Sequence, residues 1–313
     1  MDAFLKRGLK LRHLQLLVSL QETGQLSHSA EALGIAQPAA SRLLVEIEAI
    51  VGHSVHARVG RGLALTDVGA SLARRAARVL IELRDAEREI SGITTGTRGH
   101  IRIGSVTGPA MDRVLPVLRH ARLALPDVTA EVYVAPSDLL CEQLLNGRLD
   151  FVIGRLPAGQ SADLFSIRML ETEPVSLLVR RGHHLAGLPQ ITPEDLLQFD
   201  WVMPGQDAIL GRAVKARLAE LGLPMPPQRL STSSFLLTLA MMQQSNAVAP
   251  IARAVAETFA NGPDAPYVTL PIDLGIEVEP FGLITRAGSS LPRVVARMID
   301  MVLGKTIPAE PTA

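Results

Sequence analysis

Apolar positions repeat every three to four residues through the first part of the chain, with polar positions between them. Residues at this spacing share one face of a helix, so the pattern predicts helices in this region. The predicted helices cover 9–22, 27–33 and 37–51. Gly24 is typical of the residue that ends the first of them, and a tight turn at 33–35 separates the other two.

The helix predicted over 37–51 has two distinct faces. A step of about 100° per residue places Leu44 on an apolar side and Ser41 and Arg42 on the opposite side. Pro38 fixes the φ angle of the first turn, whose unpaired N–H groups suit a phosphate. Gln37, Ser41 and Arg42 then offer an amide, a hydroxyl and a guanidinium to base edges. Taken alone, this segment fits an ordinary surface helix equally well.

The segment 55–65 is basic and interrupted by glycines, which predicts two short strands joined by a turn. Arg58 and Arg61 lie near the predicted tip, where a wing meets phosphates. Two short helices, a turn and a wing form a DNA-binding arrangement that places one helix end in a groove. Ser27 is predicted to cap the helix before the turn, and Ser27 and His28 complete the predicted DNA contacts.

A long helix with few breakers is predicted over 67–91. Its apolar residues form a narrow stripe close to a heptad repeat, which is typical of a helix that pairs with another helix. The predicted contact residues are Val68, Leu72, Val79, Leu83 and Ile90. Packing within the chain is the alternative, but no second helix of comparable length adjoins this one, so we favour a homodimer. The glycine- and threonine-rich segment 92–99 predicts a flexible joint between domains.

Beyond residue 99, short apolar runs alternate with helical patterns, which predicts an open, mainly parallel sheet with crossover helices. The predicted strands cover 100–106, 129–134, 150–153, 175–180, 201–203, 247–249, 267–270 and 281–285. The predicted helices cover 109–125, 138–146, 210–221, 235–243 and 291–303. This order predicts two lobes with a cleft between them. Lobe I is expected over about 100–163 and 268–304, and lobe II over about 164–267.

Hydroxyl groups and glycines are expected at the carboxyl ends of these strands, where open α/β folds bind their ligands. The predicted effector contacts are Ser105, Thr107, Gly108, Ser137, Gly205, Gln206 and Ser233. Helix capping is an equally good role for each hydroxyl. As a group, they predict a site for an anionic or hydroxyl-rich small molecule.

Composition limits the class of protein. The 313 residues suit two or three domains, and a hydrophobic fraction of 47% is enough to bury a core. The formal net charge is zero, which argues against a protein that coats nucleic acid through bulk charge. Basic residues nevertheless outnumber acidic ones in the N-terminal region, as site-specific DNA binding requires.

Few residues offer other chemistry. Cys141 is the single cysteine and is expected to be buried on a helix, so neither a disulfide nor a cysteine-based zinc site is predicted. His183 and His184 are expected in a solvated loop rather than at a metal. Asp112 and Arg113 suit the dipole of a helix start and need no catalytic role. The sequence has no nucleophile elbow, phosphate loop or zinc-protease motif, so we expect no catalytic residue, no cofactor and no metal.

The N-terminal apolar residues are interrupted by Gln15, Ser19 and Gln21, and no other stretch approaches the length of a membrane span. The sequence therefore predicts a cytoplasmic protein with neither an export signal nor a membrane anchor.

The sequence resembles the LysR-type transcriptional regulators through LRHLQLLVSLQETGQLSHSAEALGIAQPAASRLLVEIEAIVG and GRGLALTDVGA. The later segments NGRLDFVIGRL and ETEPVSLLVRRGHHLAG look most like the branch with regulators of galactose-binding-protein genes and of aromatic-acid pathways. There are departures from the family pattern. Val55 and His56 replace the usual hydrophobic-aromatic pair before the wing arginine, and Ala36 replaces a small polar residue ahead of Gln37.

This resemblance implies an α+β multidomain protein. Its parts are a winged helix-turn-helix over 1–66, a dimerisation helix over 67–91, a hinge over 92–99 and a two-lobed, solute-binding-protein-like effector domain over 100–313. The implied function is sequence-specific transcriptional regulation, without enzymatic activity, by a homodimer that assembles to a homotetramer. Its partners would be double-stranded promoter DNA and a sugar or small carboxylate. The alternative is a cytoplasmic solute-binding or enzymatic α/β protein with an incidental helix-turn-helix-like N-terminus.

Overall fold

The computed structural model describes residues 3–59, 62–95, 99–205 and 208–304, which form two compact units. The first comprises Met1–Arg98 with Leu145–Gly147, and the second comprises Gly99–Leu144 with Arg148–Ala313. Two predicted site residues, Arg61 and Gln206, lie outside the described residues.

The first unit consists of helices and one hairpin. Its elements are α1 (Ala3–Lys6), α2 (Leu11–Thr23), α3 (Leu26–Ala32), α4 (Gln37–Val51), β1 (His56–Val59), β2 (Gly62–Leu65) and α5 (Asp67–Thr95). The apolar faces of α2, α3 and α4 meet in one core, which also contains Val55 from the base of the hairpin. The antiparallel pairing of β1 with β2 forms the predicted wing, so the winged helix-turn-helix is confirmed.

Local sequence accounts for the bounds of α4. Pro38 occupies the first turn, and Gly52 ends the helix in the left-handed region with φ 79°. The prediction that Ser27 caps α3 was wrong, because the carbonyl of Gln25 already accepts a hydrogen bond from Ser29 and the helix begins at Leu26.

The long helix α5 extends further than the sequence predicted. It continues to Thr95 and so includes Gly92, which we expected in the flexible joint. No proline interrupts this segment, and a single glycine costs a helix only about 1 kcal/mol. A helical segment over 92–95 is therefore compatible with the glycine.

The second unit alternates strands with helices. Its strands are β3 (Gly99–Ser105), β4 (Val128–Val134), β5 (Phe151–Gly154), β6 (Phe165–Arg180), β7 (Trp201–Met203), β8 (Gln228–Ser231), β9 (Ala249–Ala252), β10 (Tyr267–Thr269) and β11 (Glu277–Arg286). Its helices are α6 (Thr107–Pro109), α7 (Leu115–Ala124), α8 (Ser137–Leu145), α9 (Pro193–Leu196), α10 (Ile209–Glu220), α11 (Phe235–Gln243), α12 (Arg253–Ala260) and α13 (Arg293–Val302).

Each lobe of this unit has its own core. In lobe I, β3 pairs in parallel with β4 and with β5, and residues of α7 and α13 complete the core. In lobe II, β9 and β10 pair with the second half of β6, and β7 pairs in parallel with β8. The lobe II core contains Trp201 and Val214 on one side and Met242 and Val255 on the other.

Two long strands connect the lobes. The first half of β6 pairs with β11, and the second half continues into the lobe II sheet. Along β11, Val278 belongs to the lobe II core and Phe281 to the lobe I core. The strands predicted over 175–180 and 281–285 are therefore only parts of the two crossing strands.

Three features of this unit differ from the predicted elements. The helix expected over 109–125 is divided into α6, a π-helical turn (Ala110–Val114) and α7. The strand expected over 247–249 begins only at Ala249. Finally, β8, α9 and α12 were not predicted from the sequence.

Candidate functional sites

The N-terminal half of α4 presents a polar surface. Gln37, Pro38, Ser41 and Arg42 are exposed there, whereas Leu44 on the other face is buried in the core. The predicted division of this helix into two faces is therefore confirmed. On α3, which packs against α4, the side chains of Ser27 and His28 are also exposed. These polar side chains occupy the two helices of the helix-turn-helix.

The base of the wing is tied to α4 through Glu48. Its Oε1 accepts hydrogen bonds from the Ser54 hydroxyl at 2.8 Å and from the Val55 amide at 3.0 Å, and Nδ1 of His56 lies 2.9 Å away. Burial alone would raise the pKa of Glu48. The hydrogen bonds from Ser54 and Val55 and the charge of His56 outweigh burial and hold that pKa below its ordinary value.

The same base is tied to the start of α5. Thr66 donates its hydroxyl to the Ser54 carbonyl at 2.7 Å and accepts from the Gly69 amide at 3.1 Å, as a helix cap does. A Cβ on Gly69 would overlap the carbonyl oxygen of Val55. The wing therefore sits directly against the first turn of α5.

Val55 and His56, which replace the usual hydrophobic-aromatic pair before the wing arginine, take different positions in the structure. Val55 is fully buried in the core of the first unit, and His56 turns toward Glu48. Arg58 is exposed on β1, opposite Leu63 of β2. The wing thus keeps a hydrophobic anchor and carries an exposed cation.

The predicted apolar stripe of α5 divides into two parts. The exposed part consists of Val68, Val79, Leu83 and Ile90. Leu72, in contrast, packs against the core of the first unit, and Ala73 and Ala76 are buried. Leu72 is thus held partly buried in its own unit, where the early turns of α5 pack against α2, and its predicted part in the dimer contact stays a prediction.

A cleft opens in the second unit where β6 and β11 cross between the lobes. Its volume is about 190 Å³. Its walls come from α6, the π-helical turn, the middle of β6, the start of α12 and β11. The lining residues are Gly108, Pro109, Asp112, Glu171, Thr172, Glu173, Pro174, Arg253, Ala254, Glu257 and Phe281.

A buried ion pair forms one wall of this cleft. Arg155 donates to Glu173 at 2.7 Å and to the carbonyl of Glu279 at 2.7 Å, and the two charged side chains are only 9% and 12% exposed. The guanidinium carbon lies 5.9 Å from the centre of the Phe281 ring. A second pair joins Arg113 to Glu171 at the more open edge. Two of the cleft carboxylates are thus fixed by arginines.

Asp112 lies on the π-helical turn and faces this acidic surrounding. Desolvation of its carboxyl raises its pKa, and the negative charges of Glu171 and Glu173 raise it further against the opposing effect of Arg113. π-Helical turns occur frequently at functional sites. From the sequence we expected Asp112 only to suit the dipole of a helix start. In the structure it also lines the cleft.

The structure places the predicted effector residues in several environments, and of the six that it describes only Gly108 lines the cleft. Ser105 is buried and donates to the Val106 carbonyl. Ser137 accepts from the Arg155 amide, which connects it to the wall described above. Thr107 and Ser233 are exposed, and the carbonyl of Gly205 accepts from Ala208.

The residues that α12 and the middle of β6 contribute to the cleft were not predicted from the sequence. Helix α12 buries Val255 and Ala256, and Phe259 packs against the same core. This i, i+1, i+4 spacing is a helical signal that was present in the sequence. Glu171 and Glu173 belong to the polar run Glu171-Thr172-Glu173 of β6, which gave no comparable strand signal.

Two other residues of interest lie in cores. Cys141 is fully buried on α8 as predicted, and burial raises the pKa of its thiol to about 11. His183 is also buried, which corrects the predicted solvated loop: it bonds the carbonyl of Asn246, accepts from the Leu185 amide and packs on Phe199. The described residues include no cluster of three or more metal-ligating side chains. In the same residues, no helix has the length and apolar character needed to cross a membrane.

Comparison with known proteins gives two family matches that together cover nearly the whole chain. Residues 11–70 match the bacterial regulatory helix-turn-helix proteins of the lysR family, and residues 94–306 match the LysR substrate binding domain. The chain is 41% identical to the HTH-type transcriptional regulator GbpR of Rhizobium radiobacter over 252 residues, which is 80% of this chain and 83% of that protein. It is 30% identical to the regulator PcaQ of Agrobacterium fabrum, over 91% of each chain.

Solved structures show the same fold. Full-length CbnR complexed with its target DNA aligns with a TM-score of 0.62 at 19% identity, over 95% of this chain and 99% of that one. CbnR in another crystal structure aligns with a TM-score of 0.63 at 19% identity and the same coverage. The winged helix-turn-helix, the long helix and the two-lobed effector domain thus occur together, and the chain belongs to the LysR family of DNA-binding transcriptional regulators.

Proposed function

We propose that this regulator acts as a homodimer, assembling to a homotetramer, that reads a near-palindromic promoter site in the cytoplasm. A sugar or a small carboxylate in the cleft of the second unit would modulate its binding to DNA. Two-fold symmetry of the protein is the reason to expect related half-sites.

The polar surface of α4 supports direct base readout. Gln37, Ser41 and Arg42 are exposed at its N-terminal end, and no ion pair occupies Arg42 among the described residues. An arginine and an amide side chain at this position suit guanine and adenine edges in the major groove. Arg58 on the wing suits a phosphate contact, which positions the protein without reading sequence.

The exposed part of the α5 stripe supports the dimer. Val79, Leu83 and Ile90 are 45%, 47% and 62% exposed, and they recur at helical spacing on one stripe. Apolar surface repeated along a helix favours pairing with a second apolar helix. We therefore place the subunit contact along the exposed part of this stripe.

The two faces of α4 carry the DNA-binding proposal, and a footprint tests it. We expect the protein to protect two related half-sites in the DNA upstream of a neighbouring, divergently transcribed gene. The triple variant Gln37→Ala, Ser41→Ala, Arg42→Ala should lose the footprint. Glu142→Ala, an exposed position on α8, is the matched control and should retain it. Retention of the footprint by the triple variant would contradict the assignment.

A further inference from the structure

We infer that the cleft selects its effector by charge: it accepts a small molecule rich in hydroxyl or ammonium donors and rejects one that carries a carboxylate. This inference rests on the proposed function, because it assigns the effector to the same cleft. It decides between the two effector classes that the proposed function leaves open.

Carboxylates dominate the charged groups of the cleft. Asp112 comes from the π-helical turn, Glu171 and Glu173 from β6, and Glu257 from α12. Arg253 is the one cation among the described residues that line the cleft. Acidic groups therefore line the cleft from three elements: the π-helical turn of lobe I, α12 of lobe II and the strand β6 that connects the lobes.

The arginines near the cleft are already committed to carboxylates. Arg155 pairs with Glu173 and Arg113 pairs with Glu171. Arg253 pairs at 3.2 Å with Asp273, just outside the lining residues. Three guanidinium groups thus face five carboxylates, a surplus of two negative charges. An incoming carboxylate would meet like charges and would have to displace an existing partner to gain an arginine.

Two carboxylates remain available to a ligand. Asp112 and Glu257 form no ion pair with another residue in the described part of the chain. Ionised carboxylates only accept hydrogen bonds, so their natural complements are O–H and N–H⁺ groups. The raised pKa of Asp112 agrees with a site that already holds excess negative charge.

The other residues that line the cleft are uncharged. Phe281 borders the cleft but is only 2% exposed, and a Cβ added at Gly108 would overlap Glu173, so α6 and β6 lie in close contact. An apolar wall with a few fixed polar groups is the usual composition of a small-molecule site. A compact ring with hydroxyl or ammonium substituents satisfies the available acceptors in this small space.

The test compares matched neutral, amino and uronate forms of glucose and galactose, with two pentoses and an aromatic acid as further probes. Glucose, galactose, xylose and arabinose are titrated into the full chain, together with glucosamine, galactosamine, glucuronate, galacturonate and benzoate. Binding is followed by thermal shift and isothermal calorimetry. We expect at least one neutral or amino sugar to bind, with an affinity about tenfold or more above that of its uronate.

Comparison of the amino sugars with the neutral sugars distinguishes ammonium donors from hydroxyl donors. Preference for the amino sugar assigns an ammonium group to the free carboxylates, and preference for the neutral sugar assigns hydroxyl groups. Tighter binding of a uronate or of benzoate than of every neutral and amino sugar overturns the inference. Absence of binding by all neutral and amino sugars overturns it as well.

Variants locate the selection in the cleft. Asp112→Asn combined with Glu257→Gln removes the two available charges while keeping side-chain size, so the uronate should gain about tenfold relative to its neutral sugar. Glu142→Gln on α8 is the control and should keep the wild-type preference. An unchanged preference in the double variant, with an unchanged thermal unfolding profile, overturns the assignment to this cleft.

The same samples distinguish a failure of the inference from a failure of the proposed function. DNA binding without ligand is measured by footprinting in parallel. If the wild-type chain protects no DNA, the proposed function is contradicted. A normal footprint with carboxylate-selective binding removes the charge selection alone.

Discussion

The Glu48 carboxylate connects α4 with the wing, and its removal provides a direct test of that connection. Glu48→Ala would leave the amide of the buried Val55 without its acceptor, which costs about 1–3 kcal/mol, whereas the exposed Ser54 hydroxyl can bond water instead. We expect faster amide hydrogen exchange in the wing, measured by mass spectrometry on peptides covering 54–66. Glu31→Ala, an exposed position on α3, should leave exchange there unchanged.

The same interaction has a defined pH dependence. The folded pKa of Glu48 lies below its ordinary value, so its contribution to stability is present above the ordinary pKa and is lost as pH falls through the lowered one. Wing exchange in Glu48→Ala should therefore approach that of the wild type at acid pH. An equal difference between the two proteins at neutral and at acid pH would contradict this role.

Arg42 is expected to read bases rather than phosphates. Arg42→Ala should weaken binding to the cognate site by about 1–3 kcal/mol and affect random DNA much less, since a bidentate base contact discriminates between sequences. Fluorescence anisotropy at fixed salt on both DNAs measures the difference. Equal losses on the two DNAs would show that Arg42 contacts only phosphate. Arg58→Ala on the wing offers the comparison, with similar losses expected on both.

The exposure of these side chains could be predicted because it depends on helical periodicity alone. Ser41 and Arg42 on α4 follow directly from that period. His183 could not be placed in the same way, since its burial depends on Asn246 and Phe199, which are distant in sequence. Local patterns indicate which face of a helix is polar, but not which polar residue of a loop finds a partner in a core.

Helix α5 combines an intramolecular contact with an exposed apolar stripe, and the two can be separated by mutation. Leu83 is 47% exposed, and burying a leucine contributes about 1.5–3 kcal/mol. Leu83→Glu should therefore shift the homodimer toward monomer in light scattering coupled to size exclusion. Arg75→Glu introduces the same residue at another exposed position of the helix and should leave the mass unchanged. A dimeric Leu83→Glu protein would remove this stripe from the subunit contact.

The contact between α5 and the wing depends on the absence of a side chain at Gly69. Gly69→Ala would force its Cβ against the Val55 carbonyl, and overpacking of this kind costs about 1–3 kcal/mol. We expect a lower unfolding temperature and weaker DNA binding, because the wing must move. Gly187→Ala, where an added Cβ meets nothing within 4 Å, is the control. Unchanged stability and DNA affinity in Gly69→Ala would show that the wing tolerates the displacement.

Elements with strong local signals were predicted closely, whereas those that depend on distant partners were not. The bounds of α4 follow from Pro38 and Gly52. Strand β8 was missed because its parallel partner β7 lies on another part of the chain, and such pairing leaves little local pattern. The π-helical turn ends where α7 begins, with Pro116 in the first turn of α7, so a local signal for this interruption was present in the sequence and was not used.

The two crossing strands explain why the lobes were predicted but their connection was not. The first half of β6 pairs with β11 and is largely exposed, whereas its second half is buried in lobe II. The strand predicted over 175–180 matches the apolar second half of β6, whereas the first half is largely polar and is followed by Pro174. Continuity through this junction places Glu171 and Glu173 in the cleft, so the missed half of β6 is also the missed part of the site.

Effector and DNA binding to one regulator must be thermodynamically reciprocal. If the effector changes DNA affinity by a given factor, DNA must change effector affinity by the same factor, and such couplings are typically about 1–3 kcal/mol. Calorimetric titration of the effector with and without cognate DNA should therefore reproduce the factor found by titrating DNA with and without effector. At DNA concentrations too low for the Arg42→Ala variant to bind, its effector affinity should be the same with and without cognate DNA. Unequal factors in the wild type would indicate a further linked equilibrium, such as assembly of dimers into tetramers, because a closed cycle of two binding steps leaves no other source for the difference.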